Sequence, residues 1–166
     1  MPSEFSDSAK SKIKNLMEVY PDNRSALMNA LHITQQEFSY LSFDALQALS
    51  ELMDIPVQQI EDTASFYTMY QKESIGKNVI WICHTLPCAL RGSATVLDYL
   101  KSKLEIEVGE TTKDKRFTLM KAECLASCDT APMMQINDEY YENLNNEMID
   151  KILGRFECWK KFLPGI

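Results

Sequence analysis

Four of the five cysteines lie in two closely spaced pairs, and paired thiols are able to bind metal. Cys83 and Cys88 have four residues between them, and Cys124 and Cys128 have three. Such pairs can hold Zn²⁺, a single iron or an iron–sulfur cluster, can form disulfides, or can be small buried hydrophobic side chains. Structural zinc sites usually use tighter C-x2-C pairs, so the wider spacing favours a cluster, with zinc left open on spacing alone.

The composition describes an acidic chain and argues against two classes of partner. The 166 residues carry a net charge of −7 and their lysines are scattered among acids, so we exclude nucleic acid. Because no apolar run approaches the roughly 20 residues that cross a bilayer, we expect no direct membrane insertion. The start, MPSEFSDSAK, lacks the features of a signal peptide, which predicts a reducing cytoplasm where disulfides are rare.

Residues 1–76 are predicted to form an N-terminal four-helix bundle, because apolar residues recur there at helical spacing. The first such stripe consists of Ile13, Leu16, Met17 and Tyr20. Ser42 is predicted to cap the third helix, and Pro56 suits the first turn of a fourth helix that extends to Tyr70. Short links between amphipathic helices are typical of a small bundle.

Residues 77–166 are predicted to form an α/β module made of a strand, a helix, a strand, a hairpin and a helix. The expected positions are 78–83, 91–104, 117–122, a hairpin at Asn137-Asp138, and Asn145 to Phe162. Parallel strands present their C-terminal ends at one edge of a sheet. Since one cysteine pair follows each of the two longer strands, we expect both pairs to meet at that edge.

Cys158 and the two histidines are not interpreted as ligands of the site. Cys158 has no partner in sequence and is predicted to be an inert small hydrophobe. His84 suggests a Rieske centre, but that centre needs two histidines, and the other histidine, His32, lies in the helical region. We therefore reject a Rieske centre and interpret His84 as a loop residue. A buried, negatively charged cluster needs N–H donors, for which loop amides, Arg91 and Lys121 are candidates.

The segment DKRFTLMKAECLASCDTAP at 114–132 closely resembles the signature of a thioredoxin-like iron–sulfur subunit family of NADH–quinone oxidoreductase, respiratory complex I. CHTLPCALRGS at 83–93 looks like the first cysteine loop of that family, and 20–42 is similar to its helical region. The resemblance spans about residues 10–155 of this sequence.

This resemblance implies an α+β or α/β fold, in which a helical bundle precedes a thioredoxin-like [2Fe-2S] ferredoxin domain. It implies one [2Fe-2S] cluster, whose ligands are Cys83, Cys88, Cys124 and Cys128. It also implies a chain without a complete active site, which exchanges single electrons with the FMN of a partner flavoprotein that binds NADH. This chain would be cytoplasmic and would lie peripherally on the cytoplasmic face of the inner membrane, attached through the complex.

Three alternatives stay open beside this interpretation. The same family includes the equivalent diaphorase subunits of NAD-linked hydrogenases and formate dehydrogenases. A zinc-binding structural subunit is the second alternative. A thiol–disulfide enzyme is the third, and the lack of a C-x-x-C motif argues against it.

The sequence raises a question about backbone conformation at two positions near the second cysteine pair, Ala126 and Pro132. The family usually has glycine where this chain has Ala126, and alanine costs about 1 kcal/mol there if the position needs a positive φ. Pro132 lies at a place comparable to the cis-proline of thioredoxins. Both a cis bond and a plain strand-initiating proline are compatible with the sequence.

Overall fold

The computed structural model describes residues 4–157, and the chain divides between Ile75 and Gly76 into two compact units. The first unit contains four helices: α1 (Asp7–Val19), α2 (Asn23–Phe38), α3 (Phe43–Met53) and α4 (Val57–Phe66).

Polar side chains fix the N-terminal ends of the first three helices by accepting a backbone N–H three residues further on. Ser6 caps α1, Asp22 caps α2, and Ser42 caps α3 as predicted, with Ser42 Oγ 3.2 Å from the Ala45 nitrogen. Asp54 ends α3 in the left-handed conformation. Each cap satisfies an N–H that has no partner within its own helix.

The predicted extension of α4 to Tyr70 is wrong, since the helix ends at Phe66 and Tyr67 is extended. The chain turns there because Tyr70 is buried against the bundle and its hydroxyl donates to the Met28 carbonyl at 2.8 Å. The next residue, Gln71, accepts the N–H of Leu41 at 2.7 Å. These bonds to the rest of the bundle replace those of another helical turn.

Within residues 76–157, the second unit contains a four-stranded sheet and three helices, which confirms the predicted mixture of α and β structure. Its elements in the described residues are β1 (Asn78–Cys83), α5 (Leu86–Leu90), α6 (Ser93–Leu104), β2 (Phe117–Ala122), β3 (Met134–Ile136), β4 (Glu139–Tyr141) and α7 (Asn146–Glu157).

Two helix boundaries in this unit differ from those expected. The short helix α5 occupies part of what was predicted as loop, because Pro87 lies in its first turn, where a missing N–H costs nothing. The following helix therefore begins at Ser93 rather than at residue 91. The predicted continuation of the last helix to Phe162, and Cys158 within it, lie outside the described residues.

The order of the strands is β2-β1-β3-β4. β1 and β2 are parallel, as predicted, and their register runs from Asn78 opposite Phe117 to Cys83 opposite Ala122. β3 is antiparallel to β1 and forms the predicted hairpin with β4. β1 and β2 thus end opposite each other at the same edge of the sheet, and both cysteine loops begin at that edge.

The two outer edges of the sheet differ in length and in what covers them. Segment 109–112 runs along the outer edge of β2, where the Gly109 N–H donates to the Leu119 carbonyl at 2.7 Å and Leu119 donates back to Glu110. The opposite edge is β4, which has three residues, of which Glu139 and Tyr140 are exposed.

The apolar faces of the sheet and of its helices form the core of this unit. Buried side chains from β1, β2, β3, α6 and α7 pack together there, and they include Ile80, Ile82, Leu100, Leu119, Ile136 and Ile149. Within residues 4–157, no helix is long and apolar enough to span a membrane.

Gly76, at the entrance to β1, is held so close to β2 that a side chain would not fit. A Cβ there would lie 2.6 Å from the Phe117 carbonyl carbon, and the Gly76 N–H donates to Thr118 Oγ1 at 2.6 Å. We expect Gly76→Ala to lower the free energy of unfolding by about 1–3 kcal/mol, measured by urea denaturation, because backbone must move.

Gly154→Ala is the matched control for this prediction. Gly154 lies in α7 and a Cβ would meet nothing within 4 Å. This variant should gain up to about 1 kcal/mol from helix propensity. Equal unfolding midpoints for the two variants would contradict the close approach at Gly76.

Candidate metal centre

The two cysteine loops leave the sheet side by side. Cys83 is the last residue of β1, and the second loop starts directly after Ala122, its partner in the register of β2. The two chain segments stay joined beyond the strands, because the His84 N–H donates to the Ala122 carbonyl at 3.2 Å. The parallel pairing therefore places both loops at one edge, as an α/β sheet commonly does with its functional site.

The four thiols lie at two different depths. Cys83 and Cys88 are buried, with 3% and 2% of their surface exposed, and they pack with Ala131 and Met133. Cys124 and Cys128 are exposed, and all four thiols are free of disulfides. The site thus has an apolar inner half and an open outer half.

Interactions between the thiols show that the structure brings all four into one neighbourhood. Burial raises the pKa of Cys88 to about 11, with further contributions from its hydrogen bond to Cys83 and from the charges of Cys83 and Cys128. Burial, the charge of Cys124 and a hydrogen bond to Cys124 raise the pKa of Cys128. Thiolates this close repel one another, and a bound cation relieves that repulsion.

Hydrogen-bond donors from both cysteine loops act on the sulfur of Cys83. Burial would raise the pKa of Cys83, but the Thr85 hydroxyl and the backbone N–H groups of Leu125 and Thr85 outweigh it and lower that pKa. Thr85 Oγ1 lies 3.4 Å from the sulfur. Since Leu125 belongs to the second cysteine loop, this N–H bond also ties the two loops together.

Backbone N–H groups also reach two of the other sulfurs. Met133 donates its N–H to Cys88, and Ala126 donates its N–H to Cys124 Sγ at 3.4 Å. Loop amides were predicted as donors to a negatively charged centre, whereas the hydroxyl of Thr85 was not. A threonine two residues after a ligand is the sequence signal that could have indicated it.

The remaining residues singled out in the sequence have other roles or places. His84 Nε2 lies 3.5 Å from Glu123 Oε1, so this side chain pairs with a carboxylate on the second loop. Lys121 is exposed near the end of β2, and Arg91 follows α5. The Ala131–Pro132 peptide bond is cis.

The donor set has the chemistry that an iron–sulfur cluster needs. Across residues 4–157, no three histidine, cysteine, aspartate or glutamate side chains converge as on a single metal ion, whereas the thiols of the two loops influence one another's pKa. A [2Fe-2S] cluster takes four cysteine thiolates, and the N–H groups described above suit its negative charge. The residues present therefore fit such a cluster.

Residues 13–157 match the family model of the thioredoxin-like [2Fe-2S] ferredoxins. The chain belongs to this family. The cofactor of the family is a [2Fe-2S] cluster, and the predicted relationship and fold class are confirmed.

Curated relatives match most of the chain. It is 37% identical over 146 residues to a protein of Rickettsia typhi named as a subunit of NADH-quinone oxidoreductase, and the match covers 86% of each protein. It is also 37% identical over 159 residues to "NADH dehydrogenase [ubiquinone] flavoprotein 2, mitochondrial" of Dictyostelium discoideum, covering 94% of this chain and 64% of that protein.

A solved structure matches most of the chain. One chain of an NAD⁺-reducing [NiFe]-hydrogenase in the air-oxidized state superimposes with a TM-score of 0.70 at 27% identity. The match covers 83% of this chain but only 24% of the hydrogenase chain. This chain therefore corresponds to a limited part of that larger protein.

Ala126 has a φ of 59°, the left-handed conformation in which its methyl group is strained. We expect Ala126→Gly to raise the free energy of unfolding by about 0.5–1 kcal/mol, because glycine adopts this conformation at little cost. Urea denaturation under reducing conditions measures the change. The N–H that bonds Cys124 is retained in the variant.

Ala94→Gly provides the control, since Ala94 is exposed in α6 and helical. This substitution should destabilise the chain by about 0.5–1 kcal/mol. Loss of stability in both variants would mean that the left-handed turn at residue 126 carries no strain.

Proposed function

We propose that the chain is an electron-transfer subunit of an NADH–quinone oxidoreductase, with Cys83, Cys88, Cys124 and Cys128 holding one [2Fe-2S] cluster. The observation that carries this proposal is the approach of two thiol pairs, from two loops, at the end of the parallel strands. Each iron of such a cluster needs two protein ligands, and each loop supplies two thiols.

The chain's own residues have two tasks in this function. The buried half of the site, formed by Cys83, Cys88 and Met133, excludes water from one side of the ligand set. The backbone N–H groups directed at the sulfurs stabilise negative charge on them. These residues would hold a cluster that would supply one-electron transfer, at a potential set by burial, charge and hydrogen bonds.

The electron partner in this proposal is the FMN of a separate flavoprotein, which also binds NADH. The relatives named as parts of NADH dehydrogenases support this assignment. The printed sequence has no G-x-G-x-x-G fingerprint and only five glycines, which is consistent with a nucleotide site on the partner. We propose that this chain lies peripherally on the cytoplasmic face of the inner membrane, attached there through the complex.

A diaphorase subunit of an NAD-linked hydrogenase is the second candidate function. The superposition on a chain of the NAD⁺-reducing [NiFe]-hydrogenase favours it. Both candidates assign the same cluster and the same type of electron exchange to this chain, and they differ in the remaining subunits of the assembly.

The ligand set predicts the outcome of four single substitutions. Serine in place of Cys83, Cys88, Cys124 or Cys128 should weaken or abolish cluster binding and so lower the content of iron and sulfide, because a serine oxygen is a poorer ligand than the thiolate that such clusters use. Iron and sulfide analysis of the anaerobically purified chain, with EPR after reduction, measures this. Cys158→Ser is the control and should keep the cluster.

Equal loss of iron in the Cys158 variant would contradict this ligand set. A colourless parent chain that contains zinc and gives no EPR signal after reduction would instead support a structural zinc site.

Co-purification separates the candidate assemblies. We expect a tagged chain, expressed in its own cells, to retain a protein that contains FMN and oxidises NADH, because the cluster needs an electron partner. Flavin fluorescence and NADH–ferricyanide activity of the purified material measure this. Nickel together with hydrogen uptake would identify the hydrogenase assembly, and material without flavin would contradict both candidates.

A further inference from the structure

The second cysteine loop is anchored through a carboxylate that neither the cysteine spacing nor the family signature indicated. Residues 124–128 of this loop carry two exposed thiols and include Ala126 in the left-handed conformation. Such a loop needs contacts with the sheet to hold its ligands in place. Ser127, the residue directly before Cys128, contacts the residue that directly follows β4.

Ser127 and Thr130 both bind the side chain of Glu142, which directly follows β4. The Ser127 hydroxyl donates to Glu142 Oε1, and Thr130 Oγ1 donates to the same oxygen at 2.8 Å. The two hydroxyl oxygens are themselves 2.7 Å apart. One carboxylate oxygen therefore joins residues on both sides of Cys128.

The backbone holds the carboxylate in a fixed position relative to this loop. The Asn143 N–H donates to the Thr130 carbonyl at 2.8 Å, and the Leu144 N–H donates to the Pro132 carbonyl at 2.9 Å. The segment after β4 thus runs beside the segment after Cys128. Glu142 lies at the start of this paired stretch, so its side chain has little freedom to leave the loop.

The carboxylate of Glu142 is charged at neutral pH. Hydrogen bonds from Ser127 first, and from Thr130 second, lower the pKa of Glu142 and outweigh the burial that would raise it. The side chain is partly buried. A fixed negative charge therefore lies beside the residue that precedes a cysteine ligand.

We propose that Glu142 is a positioning residue for the second cysteine loop, and that its charge lowers the reduction potential of the cluster held there. This inference rests on the proposed function, because it concerns the same four thiols. Two separate effects follow from it, one on how firmly the cluster is retained and one on its potential.

The effect on retention follows from the hydrogen bonds. Without an acceptor at residue 142, the hydroxyls of Ser127 and Thr130 lose their shared partner and the loop gains freedom. Outer partners of metal ligands typically change metal affinity by about 10–100-fold when they are removed. The effect on potential follows from the charge, because a nearby anion disfavours the addition of an electron to a centre that is already negative.

Two substitutions separate these effects. In Glu142→Gln the amide oxygen still accepts from both hydroxyls but the charge is gone, whereas Glu142→Ala loses both the acceptor and the charge. Glu147→Gln, in the first turn of α7, removes the same charge from the same unit and serves as the matched control. All variants are made in the full chain and purified anaerobically.

The readouts are the rate of iron release to a chelator and the midpoint potential from an EPR-monitored redox titration. Glu142→Ala should release iron about 10-fold faster than the parent chain or more. Glu142→Gln should release it at the parent rate, while its potential shifts upward by up to about 59 mV, a tenfold change for one electron. Glu147→Gln should match the parent chain in both measurements.

Several results would overturn the proposal. One is a Glu142→Gln variant with the parent potential, and another is an equal shift in the Glu147 control. Unchanged iron release from Glu142→Ala would exclude the positioning role. Circular dichroism establishes that each variant is folded, and the Glu142→Gln result stands even if Glu142→Ala does not fold. A parent chain without a cluster would contradict the proposed function itself.

Discussion

The parallel hydrogen bonding between β1 and β2 is the constraint on which the rest of the site depends. It ends with Cys83 opposite Ala122, so two loops that are distant in sequence begin at the same level. A shift of the register would carry one loop along the strand direction by about 3.3 Å per residue. The two thiol pairs would then no longer lie close enough for their charges to act on one another. The close approach at Gly76, at the other end of the pair, helps to fix that register.

Much of this architecture could be predicted from the sequence, because its strongest patterns are local. NVIWIC and FTLMKA are short, β-rich apolar segments, and both are strands over the predicted residues. Ser42 indicated a helix start through the chemistry of its own side chain. The helix α5 was missed because five residues contain too little periodicity to distinguish it from a loop. The end of α4 was misplaced because it depends on the burial of Tyr70 by distant residues.

The candidate site shows the same division between local and distant information. The cysteine pairs are visible as spacing, and the family resemblance indicates that they act together. The residues that hydrogen-bond to the two loops differ in how far they lie from the loops in sequence. Thr85 is close in sequence to the sulfur that it contacts, whereas Glu142 reaches Ser127 only because β4 returns beside the second loop. A sequence contains no local signal for a contact that the hairpin creates.

The two outer edges of the sheet affect how readily the chain aggregates. Exposed strand edges can recruit strands from other molecules and begin aggregation. Here the margin at β2 already exchanges hydrogen bonds with segment 109–112, and the margin at β4 offers three residues, among them the acidic Glu139. Neither presents a long, flat ladder of free backbone groups. The sheet is therefore protected at both edges against intermolecular strand addition.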